Sequence, residues 1–497
     1  MKKVILCAAA LMFGTVAMAQ VSGTPMGGGS QPAVTPVAAL PGAAAGANTG
    51  QSIQNGNDNK VRVRQAGTSQ SVLTNQSDGS GTGGNLAQVT QIGLVQSGSG
   101  ELNLAEVQQQ GSANQTTLLQ QGDYNEAITR QGSNDDASSG NKARIQQGAV
   151  GAQQAESNYA AIDQDGTNNQ AQTDQRYDNS DAWTIQVGDA NKSMVYQSAG
   201  PNGSSGHDAL TEQYGNNNES SIHQGNGGGG RNIAHTIQLG DDNQAKQMQT
   251  TTAAAGSGMG NRAGINQGDR FFDISSAPVT QSVFFAIDAN VDDVNSNVGP
   301  INASSISNLA FQTQTGKLQE AEIAQFGSDN YAEQNQSGWG HDAMIVQNPY
   351  GAATDGNNYA KQKQSGDLNT AGLVQNGSNH KAYQYQQNRL NVVLSAQQGD
   401  GNLLNTHQFG NSNRITTAQR GVENAALIVQ RGGHSYSTQQ NVQDLGAGGG
   451  NQADILQLGP NGDFGTDGVN CMFMDELDPT MDYTVPDFTI DDVCPGC

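Results

Sequence analysis

Between residues 366 and 432 a glycine returns every eleven residues, at Gly366, Gly377, Gly399, Gly410, Gly421 and Gly432, and Asn388 occupies the one step that lacks it. Two residues before each of these stands a glutamine: Gln364, Gln375, Gln386, Gln397, Gln408, Gln419 and Gln430. Six residues before each glutamine stands Asn358, Asn369, His380, Asn391, Asn402, Asn413 or Asn424. The unit is N-x-A-x-φ-x-Q-x-G-x-x, with φ apolar. It recurs upstream at 59–67, 85–93, 103–111, 114–122, 158–166, 232–240 and 330–338. With degenerate copies included, about thirty units occupy residues 51–459. Polar stretches at 77–84, 132–140, 200–206, 250–260 and 444–450 separate some units and leave the grid intact. Surface loops on a solenoid have this property.

Inside each unit the period is two, so each unit predicts a β-strand with Asn, Ala, φ and Gln on one face. The charges say which face is buried. Lys60, Arg62, Arg64, Arg130, Lys142, Arg144, Lys192, Lys246, Arg262, Lys361, Lys363, Lys381 and Arg414 all stand on the intervening positions, as do Glu106, Glu126, Glu212, Glu219, Glu333 and Asp454. An unpaired charge is costly to bury, so the Asn–Gln face is the inner one. A lone buried amide would also cost about 1–3 kcal/mol. Identical amides stacked in register escape this, each donating to one neighbour and accepting from the other, as in cross-β ladders. Only parallel, in-register strands bring identical residues over one another. The expected fold is therefore all-β, a parallel β-solenoid with two strands per coil. Thirty strands at about 4.8 Å per coil give a rod on the order of 70 Å long. The glycine after each glutamine is where the chain must turn, and Asn388 fits there because Asn tolerates the left-handed region next best.

The composition fits a polar interior. The chain has 49 Asn and 58 Gln among 497 residues, and only 34 % hydrophobic residues, against roughly 45–50 % in a typical domain. Charged residues make up 13 % and the net charge is −23, so nucleic-acid binding through a basic patch is not expected. His207, His341 and His380 stand at the Asn position as substitutes for a ladder amide, whereas His223, His235 and His407 are scattered on the outer one. No H-E-x-x-H, G-x-S-x-G or phosphate-binding loop occurs. Neither an enzyme nor a cofactor or metal site is expected.

The ends read differently. Residues 1–19 have the form of a secretory signal peptide, with Lys2 and Lys3, an apolar stretch from Val4 to Val16, and Ala17-Met18-Ala19 before Gln20. Cys7 lies too near the lysines for a lipoprotein signal and belongs to the same peptide. No later run is long and apolar enough for a membrane helix, so an exported chain without membrane insertion is expected. Residues 20–50 are low in complexity and read as a flexible leader or a targeting segment. Residues 270–307 break the grid, although Ser275, Ala277, Val279 and Gln281 preserve one unit; a decayed pair of repeats with a loop is the preferred reading over a large insertion or a block junction. The tail, 460–497, is acidic and apolar together and holds Cys471, Cys494 and Cys497. Three cysteines after a removed signal leave one thiol over or one bridge between chains. A disulfide-tied cap, a partner-binding tail and a disordered end all remain open for it.

The spacing Q-x-G-x-x-N-x-A-x-x-x-Q, seen from Gln419 through Gly421, Asn424 and Ala426 to Gln430, resembles the repeat of the curlins, the secreted subunits of bacterial curli amyloid. The resemblance covers most of 51–459. It implies a subunit exported through a curli-type secretion pore that polymerises with itself at the cell surface, with a nucleator or minor subunit as partner, into fibres that strengthen the biofilm matrix and support adhesion. The ladder positions would be Asn369, Gln375, Gly377, Asn391, Gln397, Gly399, Asn402, Gln408, Gly410, Asn413, Gln419, Gly421, Asn424, Gln430 and Gly432. Two features depart from the familiar curlins: Asn opens nearly every strand where Ser often opens the first, and the chain is several times longer. The rival reading is a monomeric β-solenoid adhesin. An ice-binding face would need an outward threonine row, and the outer positions are mixed, as in Arg414, Thr416, Ala418 and Arg420.

Overall fold

The structure is a computed structural model and describes residues 34, 36–38, 46–78, 84–93, 102–132, 138–148, 155–199, 206–226, 230–252, 260–268, 305–349, 356–441 and 450–458. The described residues form β-strands joined by corners, with no helix. Successive long strands alternate between two sheets, and the short strands Ser305–Ile306 and Gly327–Ser328 pair with each other apart from these. The first sheet runs through fifteen strands from Thr49–Asn55 to Ser435–Asn441. The second runs through sixteen, from Lys60–Ala66 to Gln452–Leu458, with the two-residue strand Ala155–Glu156 beside its main line. The chain is thus a β-solenoid of two-strand coils. Where no insertion intervenes, one coil takes 22 residues, two units, as Gln375 over Gln397 shows.

The register is set by the inner face. Ala opposes Ala and Gln opposes Gln along both sheets, as in Ala343↔Ala371 and Gln347↔Gln375. Aliphatic and alanine side chains such as Ala87, Val89, Leu118, Ile145 and Ile162 fill the space between the sheets and are at most 1 % exposed. The thirteen cations named above all escape burial. Two outer carboxylates are buried, and each has a cation beside it: Arg130 lies 3.8 Å from Glu106 and Lys361 3.0 Å from Glu333.

Corners without an insertion bend through two left-handed residues. Gly377 has φ 120° and Asn379 58°, Gly421 has 99° and Glu423 52°. Asn388, in the glycine place, has φ 79°. At Gly399 a second constraint adds to the first: a Cβ would lie 2.1 Å from the carbonyl oxygen of Gly421 in the next coil. The left-handed residue just before the Asn position follows no residue type: Leu368 and Leu390 serve before Asn369 and Asn391, and Leu318 before Gln319, which stands in the Asn place.

Three expectations are revised. First, 262–267 pairs directly with 320–325, and 244–251 with 309–316, in unbroken register. No strand from 269–304 comes between them, so the break in the grid is an insertion and not a decayed pair of coils in the stack. Second, the outer positions are not uniformly solvated. Met344, Val346, Val374, Leu394 and Ala396 point away from the core yet are at most 4 % exposed. Alternation tells which face meets the partner sheet; it does not tell whether the other face is covered. Third, part of the leader is ordered on that outer face: Val34 packs with Leu104, Ile128, Tyr159 and Ala161, and Val37 donates its N–H to Ser71 Oγ at 2.8 Å. The first strand also starts at Thr49, two residues ahead of the expected array. The signal peptide, most of the leader and the tail with Cys471, Cys494 and Cys497 lie outside the described residues.

The amide ladders and the open ends as candidate functional site

Gln375, Gln397 and Gln419 stand in one column of the first sheet, Gln408 and Gln430 in the matching column of the second. Gln375 Nε2 donates to Gln397 Oε1 at 2.8 Å, and Gln397 Nε2 to Gln419 Oε1 at 2.9 Å. The same bond links fifteen glutamines of the first sheet, from Gln54 to Gln440, at 2.7–2.9 Å. Fifteen more run from Gln65 to Gln457 in the second sheet at 2.7–3.0 Å. Neither ladder is interrupted, even across 269–304, where Gln267 donates to Gln325 at 2.9 Å.

The amides also tie the sheets to each other. Gln397 Nε2 lies 3.2 Å from the Lys381 carbonyl and 3.0 Å from that of Asn402, both on the second-sheet side of the coil. Gln419 reaches the Leu403 carbonyl at 2.9 Å, and Gln408 that of Val392 at 3.1 Å. A side-chain –NH₂ has two hydrogens; one goes along the stack and one across it, so the buried amide is satisfied. The crosslink also fixes the sense of the amide, because a flipped Gln would turn an oxygen toward a carbonyl.

The asparagines add backbone contacts to a side-chain ladder, in which Asn413 Nδ2 donates to Asn391 Oδ1 at 2.9 Å and Asn424 Nδ2 to Asn402 Oδ1 at 2.8 Å. Asn369 Oδ1 accepts the backbone N–H of Asn391 at 3.0 Å, and Asn391 Oδ1 that of Asn413 at 3.0 Å. Asn402 Oδ1 does the same for Asn424 at 3.0 Å. Their Nδ2 atoms donate to corner carbonyls: Asn369 to Asn388 O at 2.9 Å, Asn391 to Gly410 O at 2.8 Å, Asn402 to Gly421 O at 3.1 Å. These bonds occupy backbone groups that the turn takes out of the sheet ladder. Gly377, Gly410 and Gly421 are among the corners that such bonds close, and with Gly399 and Gly432 they have positive φ.

Histidine meets the same demand. The backbone N–H groups of Asn232, Asn369 and Asn402 donate to Nδ1 of His207, His341 and His380 at 3.2, 3.3 and 3.2 Å. Nε2 of His341 and His380 faces the carbonyls of Ser337 and Asn376 at 3.0 and 3.1 Å. This geometry needs the neutral ring, and burial pushes His207 down to about 4 and also lowers His341.

A third ladder escaped the sequence reading. Gln247, Gln312, Gln334, Gln362 and Gln384 hold the φ position of the second sheet and donate in turn at 2.7–3.0 Å. It ends with Gln384 donating to Ser395 Oγ at 2.9 Å. The Q-x-Q spacing was the available signal, and the apolar template hid it. On the outer side of the same strands, Tyr331 and Tyr359 stack with ring centroids 4.9 Å apart.

Among the described residues, no further strand pairs with either end coil of the stack. Val63 of the first coil is 39 % exposed, whereas Val89, at the same inward position one coil on, is 0 % exposed. Gln430 is 0 % exposed, and Gln457, stacked on it in the last coil, is half-buried. Among the described residues no donor reaches Oε1 of Gln54 or Gln65, and Nε2 of Gln457 has no acceptor. The described residues contain no group of His, Cys, Asp or Glu spaced to hold a metal ion. No family model and no curated protein matches the chain.

Proposed function

We propose that this chain is a structural subunit that stacks end to end with further copies of itself into extracellular fibres, in the manner of the curlins. The observation that carries the reading is the pair of amide ladders, which no described residue caps. Among the described residues the two rows of fifteen glutamines end at Gln54 and Gln65 on one side and at Gln440 and Gln457 on the other, with no further glutamine stacked on them. Among the described residues, the end coils also leave the outer backbone edges of two parallel sheets unpaired. An open, flat edge of this kind templates another strand, and stacked amides add to the drive. The –23 charge and the insertions oppose uncontrolled association. Export through a secretion pore, a nucleating or minor subunit as partner, and a role in biofilm matrix and adhesion belong to the same proposal and rest on the repeat's resemblance to the curlin unit.

The test is to dilute the protein, without residues 1–19, from denaturant and follow thioflavin-T fluorescence with and without sonicated seeds. The expected result is a sigmoidal rise that seeds abolish the lag of, and fibres that diffract near 4.7 Å. A β-rich monomer that stays monomeric for days would overturn it and favour a non-polymerising adhesin.

A further inference from the structure

The two ends of the stack are not equivalent. All glutamine ladder bonds point one way: Nε2 faces the C-terminal coils and Oε1 the N-terminal ones, as in Gln54→Gln76 at the start and Gln419→Gln440 at the finish; the asparagine ladder bonds run the other way, as in Asn424 Nδ2 to Asn402 Oδ1. The cross-sheet bonds, such as Gln65 Nε2 to Thr49 O at 3.0 Å, hold that sense at the first coil as well. In the glutamine rows the first coil therefore offers acceptors and the last coil donors.

Side-chain size is graded in the same direction. At the first inward position of the first sheet the column begins with Gly50, holds Val72 and then alanine through most of the stack, and finishes with Val393, Ile415 and Tyr436. Gly50 lacks positive φ, and a Cβ there would meet nothing nearer than 3.8 Å. The chain's own backbone thus does not require glycine at this place. Tyr436 packs on the cluster of Val393, Ile415 and Ile428. One end carries a gap in the column and the other a large ring.

Charge separates the ends too. The outer positions of the first strand in the second sheet are Lys60, Arg62 and Arg64. Two such strands brought together would set three cations against three at one strand spacing, about 4.8 Å. At the other end the sequence has an acid, Asp454, at the register position corresponding to Arg62.

From these three asymmetries we infer that copies join in one polarity and one register: the coil of Thr49–Asn55 and Lys60–Ala66 of one copy seats on the coil of Ser435–Asn441 and Gln452–Leu458 of the next. Gln440 then donates to Gln54, Gln457 donates to Gln65, and Tyr436 lies over Gly50. The inference rests on the self-assembly reading and specifies its interface. The opposite pairings fail physically. First coil on first coil opposes acceptor to acceptor and cation to cation; last coil on last coil opposes donor to donor and ring to ring.

Two end-blocked full-length variants test it. Val63→Asp puts a carboxylate on the inner face of the first coil, and Ile455→Asp does so on the last. Far-UV circular dichroism checks that each keeps its strands, and sedimentation velocity reads the mass. Each variant alone is expected to remain monomeric, and an equal mixture is expected to give dimers and stop there. A dimer of either variant alone, continued polymerisation of either, or a mixture that stays monomeric would overturn the polarity while wild type still forms fibres. Wild type that forms none would overturn the self-assembly reading instead. Should Ile455→Asp unfold, Gly50→Leu fills the seat for Tyr436 with little effect on the free chain. Its seeded elongation is expected to slow at least about tenfold, and an unchanged rate would overturn the proposed register.

Discussion

Gln397 donates one amide hydrogen to Gln419 Oε1, 2.9 Å away in the next coil, while the same nitrogen lies 3.2 Å from the Lys381 carbonyl of the opposite sheet. One side chain therefore holds consecutive coils together and closes the two sheets on each other. The interior can be polar because no amide in the row is left to choose between these tasks.

Gln397→Ala removes both bonds, leaves Gln375 without its acceptor and opens a cavity. The expected loss is about 2–4 kcal/mol. Gln398→Ala, one residue on and exposed, is expected to stay within about 0.5 kcal/mol. Urea denaturation of the monomeric state compares them. In seeded growth, replacing Gln397, Gln408 and Gln419 together by Ala is expected to slow fibre formation, and unchanged kinetics would remove the ladder from the assembly mechanism.

Two glycines answer the same substitution in opposite ways. Gly399→Ala needs a left-handed backbone and places a methyl 2.1 Å from Gly421 O. A loss above about 2 kcal/mol is expected, since the conformational term alone is roughly 1–2. Gly264 has no positive φ, and a Cβ there meets only Glu322 Cγ at 3.8 Å. Gly264→Ala is expected to raise stability by roughly 0.5–1 kcal/mol. Thermal melts of the two variants decide the point.

Leu390 sits at φ 58° with 38 % of its surface exposed, in a conformation that a branched side chain dislikes and Asn accepts. Leu390→Asn is expected to stabilise the corner by about 1 kcal/mol. Slower amide exchange at Asn391 and Val392 is the observable, and faster exchange there would contradict the strain.

These contrasts show how far the sequence reaches. The spacing of Asn369, Gln375 and Gly377 was enough for strands, inner face, parallel register and two strands per coil, because in a solenoid each of these follows from identical residues having to stack. It was not enough for the partners of Gln397 across the coil, since the period along one strand carries no information about the opposite sheet. Gln334 in its inner row falls outside the N-x-A-x-φ-x-Q unit, which has an apolar residue at that place. Val34 on the outer face could not be foreseen: low complexity describes a segment's composition and not the surface it meets. Met344 and Val346 show the same limit from the other side.

The dependence on pH has two opposed parts. His207 accepts the Asn232 N–H in its neutral form, and burial holds it down to about 4, below the ordinary 6.5. Between those values the unfolded chain binds the proton and the folded one does not. Stability from this group is therefore complete above pH 6.5 and falls as the pH drops toward 4. Asp342 behaves in reverse. Burial, and then the charge of Glu320 on the neighbouring strand, raise it from 3.8 to about 7. Its contribution is complete below pH 3.8 and is lost as the pH rises through 7. Arg262, next in the column beyond Glu320, lowers the acidity shift of Glu320 but does not cancel it. His207→Asn keeps an acceptor that cannot be protonated, so protection of the Asn232 amide, corrected for intrinsic exchange, is expected to stay level from pH 6.5 to 4 while it falls in wild type. Asp342→Asn is expected to leave the urea midpoint unchanged near pH 4 and to raise it at pH 8. A gain of equal size at both pH values would mean that Asp342 carries no proton in the folded chain.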